Sequence, residues 1–96
     1  MITREYAKEC VGAGWHSLID RLYDCKPEDT VVTQVKEKFG GLRFYVSGTT
    51  DEFMDEIESA EMRSERMCEV CGDWCWDIKN IHGWYKCLCD EHSGVV

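Results

Sequence analysis

CEVCGDWCWDIKNIHGWYKCLCDEH, residues 68–92, carries five of the seven cysteines in the chain. It begins with a C-x2-C pair, Cys68 and Cys71, and the glycine directly after that pair permits the positive φ of a tight turn. It ends with a C-x2-H pair, Cys89 and His92, whose spacing brings both side chains to one side of a helix start. Two such pairs supply the four ligands of a closed tetrahedral zinc site, which leaves no position for water or substrate. We therefore predict one structural zinc ion held by these four residues.

The other cysteines do not have this paired spacing. Seven is an odd number, so the cysteines cannot all pair within one chain, and a reducing compartment favours metal binding over disulfides. Cys75 and Cys87 flank the predicted hairpin of the module, and they are either small buried residues or a disulfide or second metal pair. Cys10 and Cys25 lie on the inner sides of predicted helices and are expected in the core. His82 lies at a predicted turn and is not expected to be a metal ligand.

Length and charge limit the classes of protein that the chain can represent. Its 96 residues predict one small domain, with a helix–hairpin–helix layer over residues 1–67 and the zinc-binding module over residues 68–96. The 11 Lys and Arg residues face 19 Asp and Glu residues, a net charge of -8, which disfavours simple binding of a DNA duplex. No apolar stretch is long enough to cross a membrane, and the first ten residues do not resemble a signal peptide, so we expect a cytoplasmic protein.

Two helices are predicted before the first proline. Thr3 can cap a short helix that runs to about Val11, with Tyr6, Cys10 and Val11 on its apolar side. The second helix follows and ends before Pro27. Its apolar residues have the spacing of one buried helix face, namely Trp15, Leu18, Ile19, Leu22 and Tyr23.

The stretch TVVTQVKEKFGGLRFYVSG, residues 30–48, predicts a β-hairpin with Gly40-Gly41 between its strands. Alternation places one set of side chains toward the core: Val31, Val35, Phe39, Leu42, Phe44 and Val46. The opposite face carries Lys36, Lys38, Arg43 and Tyr45, and it is a candidate surface for nucleic acid. The aromatic residues that could add stacking surfaces there are Trp74, Trp76, Trp84 and Tyr85, which could equally pack around the zinc site.

A long acidic helix is predicted after the hairpin. Thr49 and Glu52 have capping-box spacing, and a narrow apolar stripe comprises Phe53, Ile57, Ala60, Ser64 and Met67. Between residues 51 and 65 a single arginine faces seven acidic residues, a net charge of -6. This face either keeps the protein solvated or binds a basic surface of a partner. The candidate partner-binding residues are Asp51, Glu52, Asp55, Glu56, Glu58, Glu61 and Glu65.

The predicted fold class is α+β: two N-terminal helices, a β-hairpin, a long acidic helix and a C-terminal zinc knuckle. The order of knuckle, hairpin and ligand pair at a helix start resembles a treble-clef zinc finger. That fold also occurs in HNH-type nucleases, which need a histidine base at the end of a hairpin strand and further ligands for a catalytic metal. His82 is the only histidine left for such a role in the module, so we predict that the protein is not an enzyme.

Four segments together resemble a group of small uncharacterised zinc-binding proteins of bacterial genomes and phages: GWHSLIDRL, QVKEKFGGLRFYVSG, the acidic helix, and CEVCG followed by GWYKCLCDEH. The resemblance runs from about Gly14 to His92. It implies a zinc-binding domain of phage or prophage origin, in the cytoplasm of a bacterial host, and no established activity. Cys87 looks like an addition to that pattern, which supports Cys68, Cys71, Cys89 and His92 as the ligands.

Three functions remain in order of preference. The first is a macromolecular-interaction protein whose acidic helix binds a basic protein surface, for example that of a host nucleoprotein complex. Small phage proteins that inhibit bacterial defence complexes, including anti-CRISPR proteins, are compact and acidic in this way. The second is a zinc-finger regulator that binds nucleic acid through the hairpin, and the third is an HNH-like nuclease. The sequence leaves the oligomeric state open.

Overall fold

The computed structural model describes residues 2–75, 78–81 and 83–93. This part of the chain is a mixed α+β structure with two separate antiparallel hairpins and four α-helices. In chain order the elements are α1 (Arg4–Glu9), a 3₁₀ turn (Ala13–Trp15), α2 (His16–Cys25), β1 (Val31–Lys38), β2 (Gly41–Ser47), α3 (Asp51–Ser64), β3 (Lys79–Ile81), β4 (Trp84–Lys86) and α4 (Asp90–Ser93).

None of the helices in the described ranges has the length and apolar character that crossing a lipid bilayer requires.

Helix α1 begins where the sequence predicts but is shorter and buries a different side. The Thr3 hydroxyl accepts a hydrogen bond of 3.2 Å from the backbone N–H of Tyr6, as an N-cap residue does. The Tyr6 side chain is exposed, so its predicted place on the apolar side is wrong, and Ala7 is buried instead. Cys10 and Val11 lie beyond the helix end and pack partly buried against the core.

Helix α2 buries the predicted face. Trp15, Leu18, Ile19 and Leu22 are all buried. Tyr23 packs against the core edge to face with Phe44, with the two ring centroids 5.9 Å apart. The periodicity of one helix was enough to identify this face because every member contacts the same core.

The first hairpin contains an irregularity that the alternation does not reveal. The strand register shifts between Val32 and Gln34, so Val32 enters the core and Val31 is 40% exposed. The expected inward position of Val31 is therefore wrong, because one extra residue in a strand reverses the faces beyond it. Val35 lies opposite Phe44 and is buried as predicted.

The turn of this hairpin lies one residue earlier than predicted. Lys38 pairs with Gly41, which leaves Phe39 and Gly40 as a two-residue turn with φ angles of 54° and 84°. Positive φ at both central residues is typical of the turn whose twist matches a hairpin. Phe39 is 62% exposed at the tip, so its predicted place in the core is wrong.

Helix α3 is capped by Thr50 rather than Thr49. The Thr50 hydroxyl accepts a 3.2 Å hydrogen bond from the Phe53 N–H, whereas the Thr49 hydroxyl accepts one of 2.9 Å from the hydroxyl of Thr30. The predicted stripe is otherwise correct along the helix, since Phe53, Ile57, Ala60 and Ser64 are buried. Met67 lies beyond the helix end and packs partly buried against the core.

Helix α3 also satisfies the free edge of strand β2. The N–H of Leu42 donates to the Ser64 hydroxyl at 2.8 Å, and the N–H of Phe44 donates to the Glu61 carboxylate at 2.9 Å. An unpaired strand edge is costly when buried, and these two side chains replace a third strand. Glu61 therefore has a structural role in addition to its charge.

Candidate metal centre

The first ligand pair lies on a tight turn directly after α3. The N–H of Cys68 donates to the carbonyl of Asp73 at 2.7 Å, and the N–H of Gly72 donates to the carbonyl of Cys68 at 2.8 Å. Gly72 has a φ of 84°, which few residues with a side chain adopt without strain. These bonds close the turn around Cys71 and direct both sulfurs to one side.

The second ligand pair lies at the start of α4. Cys89 immediately precedes the helix, and His92 falls in its single turn, with its N–H bonded to the Cys89 carbonyl at 3.0 Å. The predicted position of this pair at a helix start is confirmed. Cys68 and Cys89 are buried, whereas Cys71 and His92 are exposed, so the site lies at the protein surface.

The four side chains predicted as ligands come together in the structure. Their ligand atoms all lie within 4.8 Å of one another. The sulfurs of Cys71 and Cys89 are 3.7 Å apart, and the Nδ1 atom of His92 is 3.2 Å from the sulfur of Cys89 and 3.6 Å from that of Cys68.

These distances match the requirements of a metal ion. In a tetrahedral zinc centre with Zn–S bonds of about 2.3 Å and a Zn–N bond of about 2.0–2.1 Å, neighbouring sulfurs are about 3.8 Å apart and sulfur and nitrogen about 3.6 Å apart. Three thiols and one imidazole are also the donors that zinc prefers over the oxygen ligands of calcium or magnesium. The cluster can therefore hold a metal ion, and its donors suit zinc.

The electrostatics of the turn favour a thiolate at one ligand. Burial opposes ionisation of Cys68, but hydrogen bonds from backbone N–H groups around its sulfur outweigh that cost and lower the pKa of Cys68 to about 6. The N–H of Asp73 favours the Cys71 thiolate, but desolvation and the adjacent sulfurs prevail and raise the pKa of Cys71 to about 12. A metal ion reverses this second effect, because its positive charge lets neighbouring thiolates coexist.

The turn that carries the first ligand pair, residues 68–73, is called the metal-binding turn below. It is packed against the segment that joins α1 to α2. The N–H of Gly14 donates to the carbonyl of Glu69 at 2.8 Å, and the indole Nε1–H of Trp15 donates to the carbonyl of Met67 at 2.9 Å. A side chain at Gly14 would overlap the carbonyl oxygen of Cys68. The sequence indicated only that glycine interrupts the helices there, because no local pattern links positions more than fifty residues apart.

A lysine joins the two hairpins beside this turn. The ammonium of Lys86 on β4 lies 3.2 Å from the carboxylate of Glu37 on β1 and 3.9 Å from that of Glu69 in the metal-binding turn. Burial raises the pKa of Glu69, and the charge of Lys86 opposes that rise. The half-buried lysine therefore compensates two carboxylates at the junction of the two parts of the fold.

The remaining cysteines have different environments. Cys75 and Cys87 are fully buried in the core cluster and form a disulfide with their Cα atoms 6.1 Å apart. The sequence had left open whether they are small buried residues or a disulfide pair, and they are both. Cys10 is partly buried against the core. Cys25 is exposed, so the prediction that it is a core residue is wrong. His82 lies outside the described residues.

The seven acidic residues of the acidic helix differ in how exposed they are. Asp51, Glu52, Asp55 and Glu58 are exposed, whereas Glu56, Glu61 and Glu65 are partly buried. The carboxylate of Glu56 lies 3.8 Å from the Nε atom of Arg21. The carboxylate of Glu61 accepts a hydrogen bond from the backbone N–H of Phe44 on strand β2. The freely accessible acids are thus concentrated on the outer side of the helix, and the sequence could not separate them from the acids that serve the fold.

The outer face of the first hairpin gathers the predicted basic residues. Lys36 pairs across the strands with Arg43, and its ammonium lies 5.9 Å from the ring centroid of Tyr45. Lys38 lies on the same face at the turn. Glu37 is the one acidic residue of the two strands. Its carboxylate accepts hydrogen bonds from the ammonium of Lys86 and from the backbone N–H of Gly40.

Exposed aromatic rings extend this face toward the second hairpin. Trp84 and Tyr85 are both exposed, and the ring of Tyr85 meets that of Phe39 edge to face at 6.0 Å. Trp74 is also exposed but lies beside α3, and Trp76 lies outside the described residues.

Comparison with protein families, curated proteins and solved structures finds no match to this chain.

Proposed function

We propose that the chain is a non-enzymatic, zinc-stabilised interaction domain that binds a basic protein surface through the exposed face of α3. Zinc is the proposed metal because three thiols and one imidazole, the donors that suit zinc, have their ligand atoms within 4.8 Å of one another. Four protein ligands complete that shell, so the ion has a structural role and carries no substrate. The succession of metal-binding turn, β3–β4 hairpin and ligand pair at α4 supports a treble-clef type of module.

The observation that carries the binding function is a groove of about 750 Å³ beside α3. Its apolar floor includes Met62, which is 65% exposed, and Trp74, which is 58% exposed. Asp55 and Glu58 line one end. Exposed apolar side chains bordered by charge are typical of protein interaction sites, because the apolar part supplies affinity and the charges supply orientation.

The resemblance to small phage and bacterial proteins supports a role of this kind in a bacterial host. An inhibitor of a bacterial defence complex, of the anti-CRISPR type, would use an acidic surface to occupy a groove that normally holds nucleic acid. The partner would then be a basic surface of a host nucleoprotein complex.

Affinity capture with variants tests the proposal. Tagged protein is incubated with bacterial lysate with and without nuclease, and bound proteins are identified by mass spectrometry. Asp55→Lys combined with Glu58→Lys is expected to abolish capture of a nuclease-resistant partner. Glu61 is left unchanged because its carboxylate bonds strand β2.

The matched control reverses two glutamates elsewhere. Glu9→Lys with Glu28→Lys makes the same change in net charge at two exposed positions that form no ion pair within the described residues. Capture should survive in this control. Equal loss in both variants would mean that total charge, and not the α3 face, determines binding.

A second candidate is binding of single-stranded nucleic acid by the outer face of the first hairpin. Its support is the basic set Lys36, Lys38 and Arg43, which shares that face with Tyr45 and with no acidic residue of the two strands. Basic residues beside exposed rings are typical of such sites. If Lys36→Glu, Lys38→Glu and Arg43→Glu combined abolish capture, and nuclease treatment does the same, this function replaces the first.

A further inference from the structure

The Cys75–Cys87 disulfide connects the two ligand pairs of the metal centre. Cys75 follows the ligand Cys71 by four residues, and Cys87 precedes the ligand Cys89 by two. Along the chain, Cys71 and Cys89 are 18 residues apart. Through the disulfide they are separated by only six residues, four on one side of the bond and two on the other. The disulfide therefore restricts how far the two ligand pairs can move apart when no metal ion holds them.

Both cysteines of the disulfide are also bonded to the segment that carries the ligand Cys68. The N–H of Cys75 donates to the carbonyl of Arg66 at 2.9 Å, two residues before that ligand. The carbonyl of Cys87 accepts a 2.9 Å hydrogen bond from the N–H of Glu69, directly after it. The covalent link and these two backbone bonds thus join the same parts of the chain that must converge on the metal ion.

From this arrangement we propose that the disulfide is a redox switch of the metal centre. Reduction of the Cys75–Cys87 bond weakens metal binding, and the bound ion in turn protects the disulfide from reduction. The reductant is a dithiol, which supplies two electrons and two protons. The S–S bond breaks, both cysteines become thiols, and the dithiol closes to its own disulfide. The inference rests on the zinc centre of the proposed function and is independent of binding by α3.

The expected effect on metal affinity follows from the length of chain that must close around the ion. The entropic cost of bringing two chain positions together rises with the number of residues between them. Opening the disulfide lengthens the connection between Cys71 and Cys89 from six residues to 18. Metal binding should therefore become about fivefold weaker, and weaker still where the backbone bonds of Cys75 and Cys87 are also lost.

Protection of the disulfide by the metal follows from the same coupling. If oxidation of the two cysteines tightens metal binding by some factor, then metal binding must favour the oxidised form by that same factor. Access adds a kinetic contribution. Both cysteines are 0% exposed, and a thiolate must reach one of the sulfurs to attack it. The shell of four ligands resists the opening that such an attack requires, so the metal-bound disulfide should be reduced more slowly.

Thiol content and zinc affinity of the full chain in both redox states test the inference. After alkylation in denaturant, mass spectrometry should find five modified cysteines in the chain oxidised in air with zinc bound, and seven in the chain reduced with dithiothreitol. With dithiothreitol removed under nitrogen, competition against a chromophoric chelator should give a zinc dissociation constant at least about fivefold higher for the reduced chain. Dithiothreitol should also reduce the disulfide at least about tenfold more slowly with excess zinc than without zinc, because the ion stabilises the closed form.

Two double variants separate the disulfide from the other thiols. Cys75→Ser with Cys87→Ser should bind zinc as weakly as the reduced wild type and should not respond to dithiothreitol. Cys10→Ser with Cys25→Ser removes the same number of thiols, neither of them in the disulfide or the metal cluster, and should keep the full redox response. Circular dichroism shows whether each variant is folded, and the wild-type measurements stand by themselves if the first variant is not.

Three results would overturn the inference: seven modified cysteines in the air-oxidised chain, equal zinc affinity before and after reduction, or equal rates of reduction with and without zinc. The proposed function fails separately. Equal affinity in both states would leave the zinc centre standing without the switch, whereas a chain that binds no zinc in either state would overturn both. Capture of a partner through α3 is measured independently of these results.

Discussion

The carbonyl oxygen of Cys68 lies directly against Gly14, at the position that any side chain on that residue would occupy. This contact joins the metal-binding turn to the segment between α1 and α2. It places the first ligand against the helical layer through backbone atoms alone, which cannot shift as a flexible side chain could.

Gly14→Ala should therefore destabilise the protein severely. The added methyl group would overlap both the Cys68 carbonyl and the backbone nitrogen of Gly72, so the turn must move away from the helical layer. We expect a loss of about 3 kcal/mol or more, at the upper end of single substitutions. Urea unfolding of the metal-bound protein, with metal affinity measured in parallel, tests this.

Gly41→Ala is the control for that substitution. The atoms nearest to the added methyl group would belong to the Arg43 and Glu65 side chains, at 3.3 Å and beyond, and these flexible side chains can move. We expect a change in unfolding free energy below about 1 kcal/mol. Equal effects of the two substitutions would contradict the importance of the contact between Gly14 and Cys68.

Glu61→Ala should destabilise the fold more than Glu58→Ala, although both remove one acidic side chain from the same helix. Glu61 accepts a hydrogen bond from the N–H of Phe44, and its removal leaves that strand donor without a protein partner. The expected cost is about 1–3 kcal/mol. Glu58 is exposed, and its removal should cost less than about 0.5 kcal/mol. Thermal unfolding of both variants distinguishes a structural acid from a surface acid, and an equal shift in Tm would refute the assignment.

Thr50→Ala should lower the stability of α3 by about 1 kcal/mol, because the hydroxyl that caps the Phe53 N–H is lost. The measurement is the free energy of unfolding in urea. Ser59→Ala is a suitable comparison on the same helix, since it lies at an exposed position in the helix interior and should be neutral or slightly stabilising. A neutral Thr50→Ala would show that Thr50 does not cap the helix.

Periodicity and ligand spacing predicted those parts of the structure that depend on neighbours in sequence. The face of α2 from Trp15 to Leu22 follows from helix geometry alone. The convergence of Cys71 with Cys89 was predictable because two ligand pairs with this spacing are typical of a tetrahedral zinc site. The apolar residues of α2 recur at helical spacing, and the Cys and His pairs have a spacing specific to metal ligands, so both signals can be detected in the sequence.

The incorrect predictions have causes that the sequence does not express locally. The shift in register after Val32 reverses the face of Val31, and alternation alone gives no position for such a bulge. Strand alternation predicts Phe39 in the core, but Phe39 lies in the two-residue turn and its side chain is exposed. The contact between Gly14 and Cys68 depends on the packing of distant segments, and the bond from Phe44 to Glu61 depends on which strand edge lies beside α3.

Removal of the metal should disorder the metal-binding turn before the first hairpin. The amides of Cys68 and Gly72 are bonded within the turn, and the ligands Cys89 and His92 connect that turn to α4. Hydrogen exchange after addition of a chelator should therefore show loss of protection at these two amides first. Strands β1 and β2 pair with each other, and β2 packs against α3, so both strands should remain protected longer. Simultaneous loss at both places would mean that the whole chain unfolds as one unit.

The central claim is that Cys68, Cys71, Cys89 and His92 bind one zinc ion, and native mass spectrometry of the purified protein with elemental analysis tests it most directly. We predict one zinc per chain in the wild type and in Cys25→Ser, whose exposed thiol lies outside the cluster. Zinc should be lost or greatly weakened in Cys71→Ser, where the exposed position keeps the substitution from creating a core cavity. Structural zinc sites contribute about 10–16 kcal/mol at neutral pH, so this loss should also lower the free energy of unfolding. A wild-type protein without zinc, or full zinc content in Cys71→Ser, would contradict the account.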